Sequence, residues 1–402
     1  MTPSIEPGMT PAERIKLYRR RAGLTQEQAA QLKGCTVSAW RKWESGERHV
    51  ASFADWVEIA RIVRVNDLYK LTGLPVGQMP DDPPEHPAIP AIRSALLSVR
   101  PNLDAQPDPA RIGAAVDFAW HAWQTSPDNH TRVGTMLPDL LIEVRAASGS
   151  DPAHRREVSR IAARLFFLLR AYTKWVGAHD LTLVAAEKGM TAAADTGDLA
   201  YEAAAAWNTA MMLSTRGHVE ESAAVARDAV ALAEGRLSDG PPDLLGMYGA
   251  LHLLLAVEYS RLRDEHHAFA SLDAAARSAA RTGELNCFRT VFGPTNVRVY
   301  ESAVTLELGR AREAIRLAER VDVSAMPSSE RRFSHLFGLA RGYVQRKEDL
   351  AAIAMLRQAA REYPQGATSS PAARAVVREL LRRETPTTRP ELRPLAETIG
   401  VA

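Results

Sequence analysis

Positions 1–74 carry twelve Lys and Arg against eight Asp and Glu, whereas the rest of the chain carries 38 against 40. A small basic segment joined to a near-neutral body suits a module that holds an anion, and nucleic acid is the commonest such polyanion. Arg41 and Lys42 lie side by side in that segment, where each phosphate they neutralise would release condensed counterions. For reaction chemistry the chain offers little. No P-loop, GxGxxG, HExxH or GxSxG pattern is present, and the eleven histidines are scattered. Glu265-His266-His267 has the residue types of a metal site, but adjacent helical residues point in different directions, which favours a solvated turn. The expectation is a binding protein rather than an enzyme, with no metal and no cofactor.

The elements that must position these side chains follow from length and composition. A chain of 402 residues is too long for one ordinary core, so two or more units are expected. Alanine and arginine are abundant and aromatic residues few, which favours helix and disfavours sheet. Cys35 and Cys287 form no CxxC or Cys/His pattern, so neither a disulfide nor a zinc site is indicated and a reducing compartment is implied. With no secretory leader and no apolar run of about 18 residues in view, the chain is expected in the cytoplasm, at the nucleoid, and away from membranes.

After Pro11, the residues Ile15, Leu17, Tyr18 and Ala22 recur near helical spacing, which predicts a first helix ending at Gly23-Leu24. Thr25-Gln26-Glu27-Gln28 reads as a capping box, with Thr25 as N-cap of a short second helix running to about Leu32. Gly34 supplies a tight turn. Thr36 then caps a third helix, Val37 to Glu44, that closes on Ser45-Gly46. Two short helices about a glycine-centred turn make a helix-turn-helix. Helices over Ser52 to Val63 and about Asn66 to Leu71 would complete a five-helix head ending at Gly73-Leu74-Pro75.

Through R-R-R-A-G-L-T-Q-E-Q-A-A, G-C-T-V-S-A-W-R-K-W-E-S-G-E and S-F-A-D-W-V-E-I-A-R-I-V, the head resembles the Cro/repressor-like (XRE) family of DNA-binding domains. The resemblance implies that Gln26, with the amides at the start of helix two, holds a phosphate of double-stranded DNA. It implies that Val37, Ser38 and Lys42 face base edges, that the capping Thr36 stands beside them, and that Arg41 and Arg48 sit nearer the backbone. The chemistry agrees: Lys donates to guanine O6 and N7, Ser donates or accepts, and Val meets a thymine methyl. The resemblance also implies a structural pair between Arg19 and Glu44. Three departures stand out. Trp40 is large where Ala29 is small, which suggests compensated packing. Lys33 occupies an ordinarily apolar position, so its stem should lie along the core with its amine in water, or the turn should be irregular. Val37 and Ser38 replace long Gln or Arg side chains, which leaves the operator sequence open.

Residues 75–90, PVGQMPDDPPEHPAIP, hold six prolines and no helical periodicity. They mark a semi-rigid linker between the 1–74 head and a body over 91–385, with 386–402 as a tail. In the body, turns anchored near Gly177, Gly217, Arg263, Gly309 and Lys347 recur at a spacing near forty residues, each followed by an alanine-rich amphipathic helix. These helix pairs resemble tetratricopeptide repeats, although the period exceeds the usual 34. Residues 91–178 show the repeat less clearly and read as degenerate first repeats or a capping and dimerising element.

The whole chain is similar to actinobacterial regulators that join an XRE head to a tetratricopeptide-like body, through F-G-P-T-N-V at 292–297, S-S-E-R-R at 328–332 and L-A-R-G-Y at 339–343. The fold class is therefore all-α, a five-helix head plus an α-solenoid. The first helix of each pair should line a concave face, where Asn208, Tyr248, His252, Asn296, Arg298 and His335 are the candidate contacts for a peptide or small-molecule effector. Within F-G-P-T-N-V the alternatives are a pocket, or a Gly-Pro helix end with Asn296 as the next cap. The leading functional expectation is an effector-gated transcriptional regulator, dimeric through its body, on an operator with inverted half-sites. The other is an adaptor that docks a protein partner, with DNA binding secondary.

Overall fold

Each of the first three helices begins at a threonine that caps it. The computed structural model describes residues 9–50, 53–65, 68–72, 85–97, 108–148, 152–238 and 240–401. The regular elements among them are helical, and they divide into two units, 1–84 and 85–402. The expected helix starts at Ser52 and Asn66, the stop at Gly73-Leu74-Pro75 and the 75–84 part of the proline-rich segment lie outside the described residues.

In the head, α1 (Pro11–Arg21) is capped by Thr10, α2 (Gln26–Lys33) by Thr25 and α3 (Val37–Ser45) by Thr36. Thr25 and Gln28 exchange the two bonds of a capping box, at 2.9 and 3.2 Å. With α4 (Phe53–Ile62) and α5 (Leu68–Thr72), these helices enclose Ile15, Ala29, Trp40, Ile59 and Leu71, all essentially without solvent exposure. Trp40 and Ala29 share that one core, where a large side chain offsets a small one. Lys33 settles its two alternatives in a third way. The turn at Gly34 is a regular left-handed cap, and the buried Lys33 stem ends on Asp55 at 2.8 Å and on Glu58, both from α4. Those two carboxylates raise the pKa of the amine.

In the body, α6 (Ile89–Leu97), α7 (Pro109–Thr125) and α8 (Asn129–Ser148) precede five antiparallel pairs. These are α9 (Arg155–Trp175) with α10 (His179–Ala194), α11 (Leu199–Thr215) with α12 (Val219–Glu234), and α13 (Pro242–Arg261) with α14 (Glu265–Thr282). Then come α15 (Pro294–Glu307) with α16 (Ala311–Ala318), and α17 (Ser329–Gln345) with α18 (Asp349–Glu362). The architecture is an all-α head plus a helical-repeat solenoid.

The five expected turn anchors share one backbone conformation. Gly177, Gly217, Arg263, Gly309 and Lys347 have φ of 81, 82, 61, 86 and 61°, in the left-handed region. In each turn the next amide reaches back five residues: Ala178 to Thr173, His218 to Leu213, Asp264 to Tyr259, Arg310 to Thr305 and Glu348 to Tyr343, at 2.9–3.1 Å. That bond satisfies a carbonyl the helix end would leave orphaned, and it turns the chain back on itself. Alanine on the inner faces (Ala185, Ala226, Ala275, Ala314, Ala352) then lets neighbouring helices approach closely.

Two expected boundaries need correction. Residues 85–90 belong to the body rather than to a linker, because Ile89 is fully buried and Pro90 sits in the first turn of α6, where a missing amide costs nothing. Residues 386–402 are no tail. After α19 (Pro364–Ser369) and α20 (Pro371–Arg382), α21 (Arg389–Ile399) buries Leu392, Leu395, Ala396 and Ile399 against Ile353, Leu356 and Val377, covering the apolar face that the last repeat leaves open.

The solenoid winds until its end meets its beginning. His130 at the start of α8 stacks on Trp123, and its Nε2 lies 2.9 Å from the hydroxyl of Tyr363, at the end of α18. The His130 amide donates to Gln365 at 2.7 Å. Burial lowers the pKa of His130 to about 4, so its ring is neutral at pH 7.

Two outcomes follow from these contacts. In thermal melts, Gly217→Ala should destabilise the body by ~1 kcal/mol, since no atom crowds the added methyl and only the left-handed backbone penalises it. Lys347→Gly in the equivalent turn should raise the melting temperature. Between about pH 6.5 and 4 the unfolded chain binds a proton that folded His130 refuses, so body stability should fall as pH drops through that window. His130→Gln should flatten that decline.

Candidate nucleic-acid interface

The site is built around the Glu44 carboxylate, which is buried inside the head. Arg19 donates to it twice, Nε to Oε1 at 2.5 Å and a terminal nitrogen to Oε2 at 3.1 Å. Trp40 Nε1 donates to Oε1 at 2.7 Å and Gln26 Nε2 to Oε2 at 2.8 Å. Burial raises the pKa of this carboxyl, but the bonds from Arg19, Gln26 and Trp40 outweigh it and hold the pKa below the ordinary value. One anion thus ties α1, the start of α2 and the middle of α3 together.

With Trp40, Trp43 and Glu44 turned inward, helical spacing leaves Ser38, Arg41, Lys42 and Ser45 on one exposed face of α3. Arg41 is 61% exposed, and its Nε donates to Gln26 Oε1 at 3.2 Å, with Glu27 3.8 Å away. Glu44, Gln26 and Arg41 therefore form a chain of contacts from the core to the surface. Arg48, just past the αL residue Gly46 that ends α3, lies over the Trp43 ring at 6.0 Å.

The Gln26 side chain is engaged on both sides, donating to Glu44 and accepting from Arg41. Thr36 accepts from the Ala39 amide at 3.2 Å, as a cap. Val37 is half-buried and packs against the head core at the edge of the exposed face. Ser38, Arg41 and Lys42 are exposed on α3.

The body candidates are not brought into one site. Asn208 is buried and accepts from Arg170 Nε at 2.9 Å. Tyr248 donates to Glu234 at 3.3 Å and meets the edge of His252, whose two ring nitrogens are buried with no hydrogen-bond partner among the described residues. Burial lowers the pKa of His252 to about 4. His335 is buried on α17, and Arg298 is exposed on α15. Asn296 lies inside the first turn of α15, not at its cap. The Glu284 carboxylate accepts from the Thr295 amide there, at 2.9 Å. The odd composition of F-G-P-T-N-V has a packing cause: Phe292 fills a notch in α13 where a Cβ on Gly249 would come within 2.0 Å of its ring.

Glu265 pairs with Arg310, and His267 lies 2.7 Å from Asp264 at the start of α14. Among the described residues no three His, Cys, Asp or Glu are grouped to hold a metal, and no helix is long and apolar enough to cross a membrane. Sequence reasoning missed Arg170, Lys174 and Arg331, which converge inside the solenoid. Arg170 within the apolar run L-F-F-L-L-R-A-Y was the available signal.

The helix-turn-helix domain family matches residues 12–68, a span running from the first turn of α1 into α5. No curated relative matches the chain. The matched span and the geometry of α2 and α3 define the class: a DNA-binding regulator of the helix-turn-helix type.

Removing the central anion tests the architecture. Glu44→Ala leaves Arg19 buried and uncompensated, at a cost of ~3–5 kcal/mol to the head. Hydrogen exchange of the full chain should then accelerate throughout α1–α3 and stay unchanged in α9–α18.

Proposed function

We propose that the chain is a sequence-specific transcriptional regulator. Its XRE-type head lays α3 in the major groove, and its tetratricopeptide-like body over 85–401 senses an effector and joins two copies on inverted half-sites. The observation that carries this reading is the division of α3 into a buried face locked by Glu44 and an exposed face bearing Ser38, Arg41 and Lys42. Ser38 and Lys42 read base edges. Arg41, held by Gln26, and Arg48, held over Trp43, meet phosphates, while the backbone amides at the start of α2 take a further one. Dimerisation is supported by α10, which exposes Leu183 and Met190 seven residues apart on one face.

Selection from a random duplex library followed by titration over a salt series tests the reading. The selected site should be a pair of half-sites. Arg41→Ala should weaken all sequences alike and reduce the salt slope by about 0.9. Lys42→Ala or Ser38→Ala should instead relax preference at one base pair, by about 1–3 kcal/mol for a bidentate contact. If the library yields no enriched sequence, specific regulation is refuted.

A further inference from the structure

Inside the solenoid, α7, α9, α11 and α17 enclose a narrow cleft with an unusual charge balance. Its walls carry Arg170, Lys174, Arg289 and Arg331 but one carboxylate, Glu330. Arg289 turns to Asp117 at 3.2 Å, a carboxylate it shares with Arg164 at 2.8 Å. Three cations therefore face one anion. Lys174 approaches Glu330 at 3.7 Å. Arg170, which is 5% exposed, has only neutral partners among its described contacts, the Asn208 amide and the Trp207 ring at 5.6 Å. Arg331 donates to the Tyr300 hydroxyl at 3.0 Å. A second, smaller opening reaches Arg170 and Lys174 past His179 and Arg216, and its lining holds no carboxylate.

Burying a cation without a counter-charge is costly, and Arg170, buried with the half-buried Lys174 and Arg331 beside it, departs from the rule that buried charges are paired. The strain shows in the groups themselves. Burial lowers the pKa of Arg170 to about 10 and lowers that of Lys174, in both cases against the attraction of Glu330, whereas Tyr300 and Glu330 raise that of Arg331 against its burial. Lys174, Arg331 and Arg170 pull Glu330 down against its own burial. The free volume is about 30 Å3. A site for one water needs roughly 10–15 Å3, so the cleft admits a small charged head and not a whole metabolite. Trp120, Trp123 and Trp207 supply apolar wall around it.

We propose that this cleft binds the oxyanion head, carboxylate or phosphate, of the effector, with Arg170, Lys174 and Arg331 as its cradle and the tryptophan faces against the adjoining part of the molecule. The proposal rests on the sensing role given above and names its ligand class. Glu330 is then the competitor that occupies Lys174 in the empty state and yields it when the ligand enters.

The test uses the full chain at constant ionic strength, with inorganic phosphate and benzoate titrated separately against tryptophan fluorescence and calorimetry. Saturable binding of either probe is expected, and the better probe identifies the head. Arg170→Gln and Lys174→Gln should weaken binding at least tenfold, whereas Glu330→Gln, which removes the competing anion, should tighten it several-fold. That gain cannot come from a structural defect, and it keeps the test decisive if Arg170→Gln fails to fold. Absence of saturable binding by either probe, affinity indifferent to Lys174→Gln, or weaker binding in Glu330→Gln would overturn the site. DNA affinity measured with the bound probe is a separate readout: if it is unchanged while the anion still binds, the sensing role fails and the site stands.

Discussion

One backbone device closes helices in both units: a residue in the left-handed region, followed by an amide that donates to the carbonyl five residues back. In the head it occurs at Gly23, Gly34 and Arg64, where Leu24, Cys35 and Val65 donate to Arg19, Ala30 and Ala60. In the body it closes all five repeat pairs and recurs at Gly400. The bond resolves a local problem, the orphan carbonyls of a helix end, and the reversal it forces has a larger result. Within each pair the second helix is delivered antiparallel to the first with no long loop, so mostly short-range contacts build the repeats of the body. Arg263 and Lys347 show that the geometry outranks the residue: both accept a conformation unfavourable to a side chain because the following pair needs it.

In the head this closure places α2 against α3, and the Glu44 carboxylate decides what α3 presents. By gathering Arg19, Trp40 and Gln26 it draws one face of the helix inward and leaves Ser38, Arg41 and Lys42 outward on a rigid support. The base-reading role proposed for α3 would need that rigidity, since such contacts tolerate little misplacement. The same network extends through Gln26 to Arg41, so this surface cation is tied to the core of the head.

The body departs from locally consistent design at one place. Its cores are alanine-rich and closely packed, and most of its ion pairs lie at exposed positions where they contribute little. Inside the ring closed by His130 and Tyr363, however, cations outnumber carboxylates in a region of low exposure. Such local violations are expected where function, rather than stability, set the residue.

Periodicity, caps and turn residues in the sequence were enough to determine the first three helices of the head, the helix-turn-helix they form and the five repeat anchors, because each depends on interactions within about five residues. The capping box at Thr25 and the turn at Gly217 are examples. Contacts between distant residues were decided only by the tertiary structure. Lys33 found two carboxylates on α4, α21 became the end of the solenoid, and Phe292 found its notch at Gly249. The convergence of Arg170, Lys174 and Arg331 was equally invisible in the sequence. Nothing local to α9 or α17 reveals that the two helices face each other across a closed turn of superhelix, and it is that closure which removes water from their charges and makes them a site.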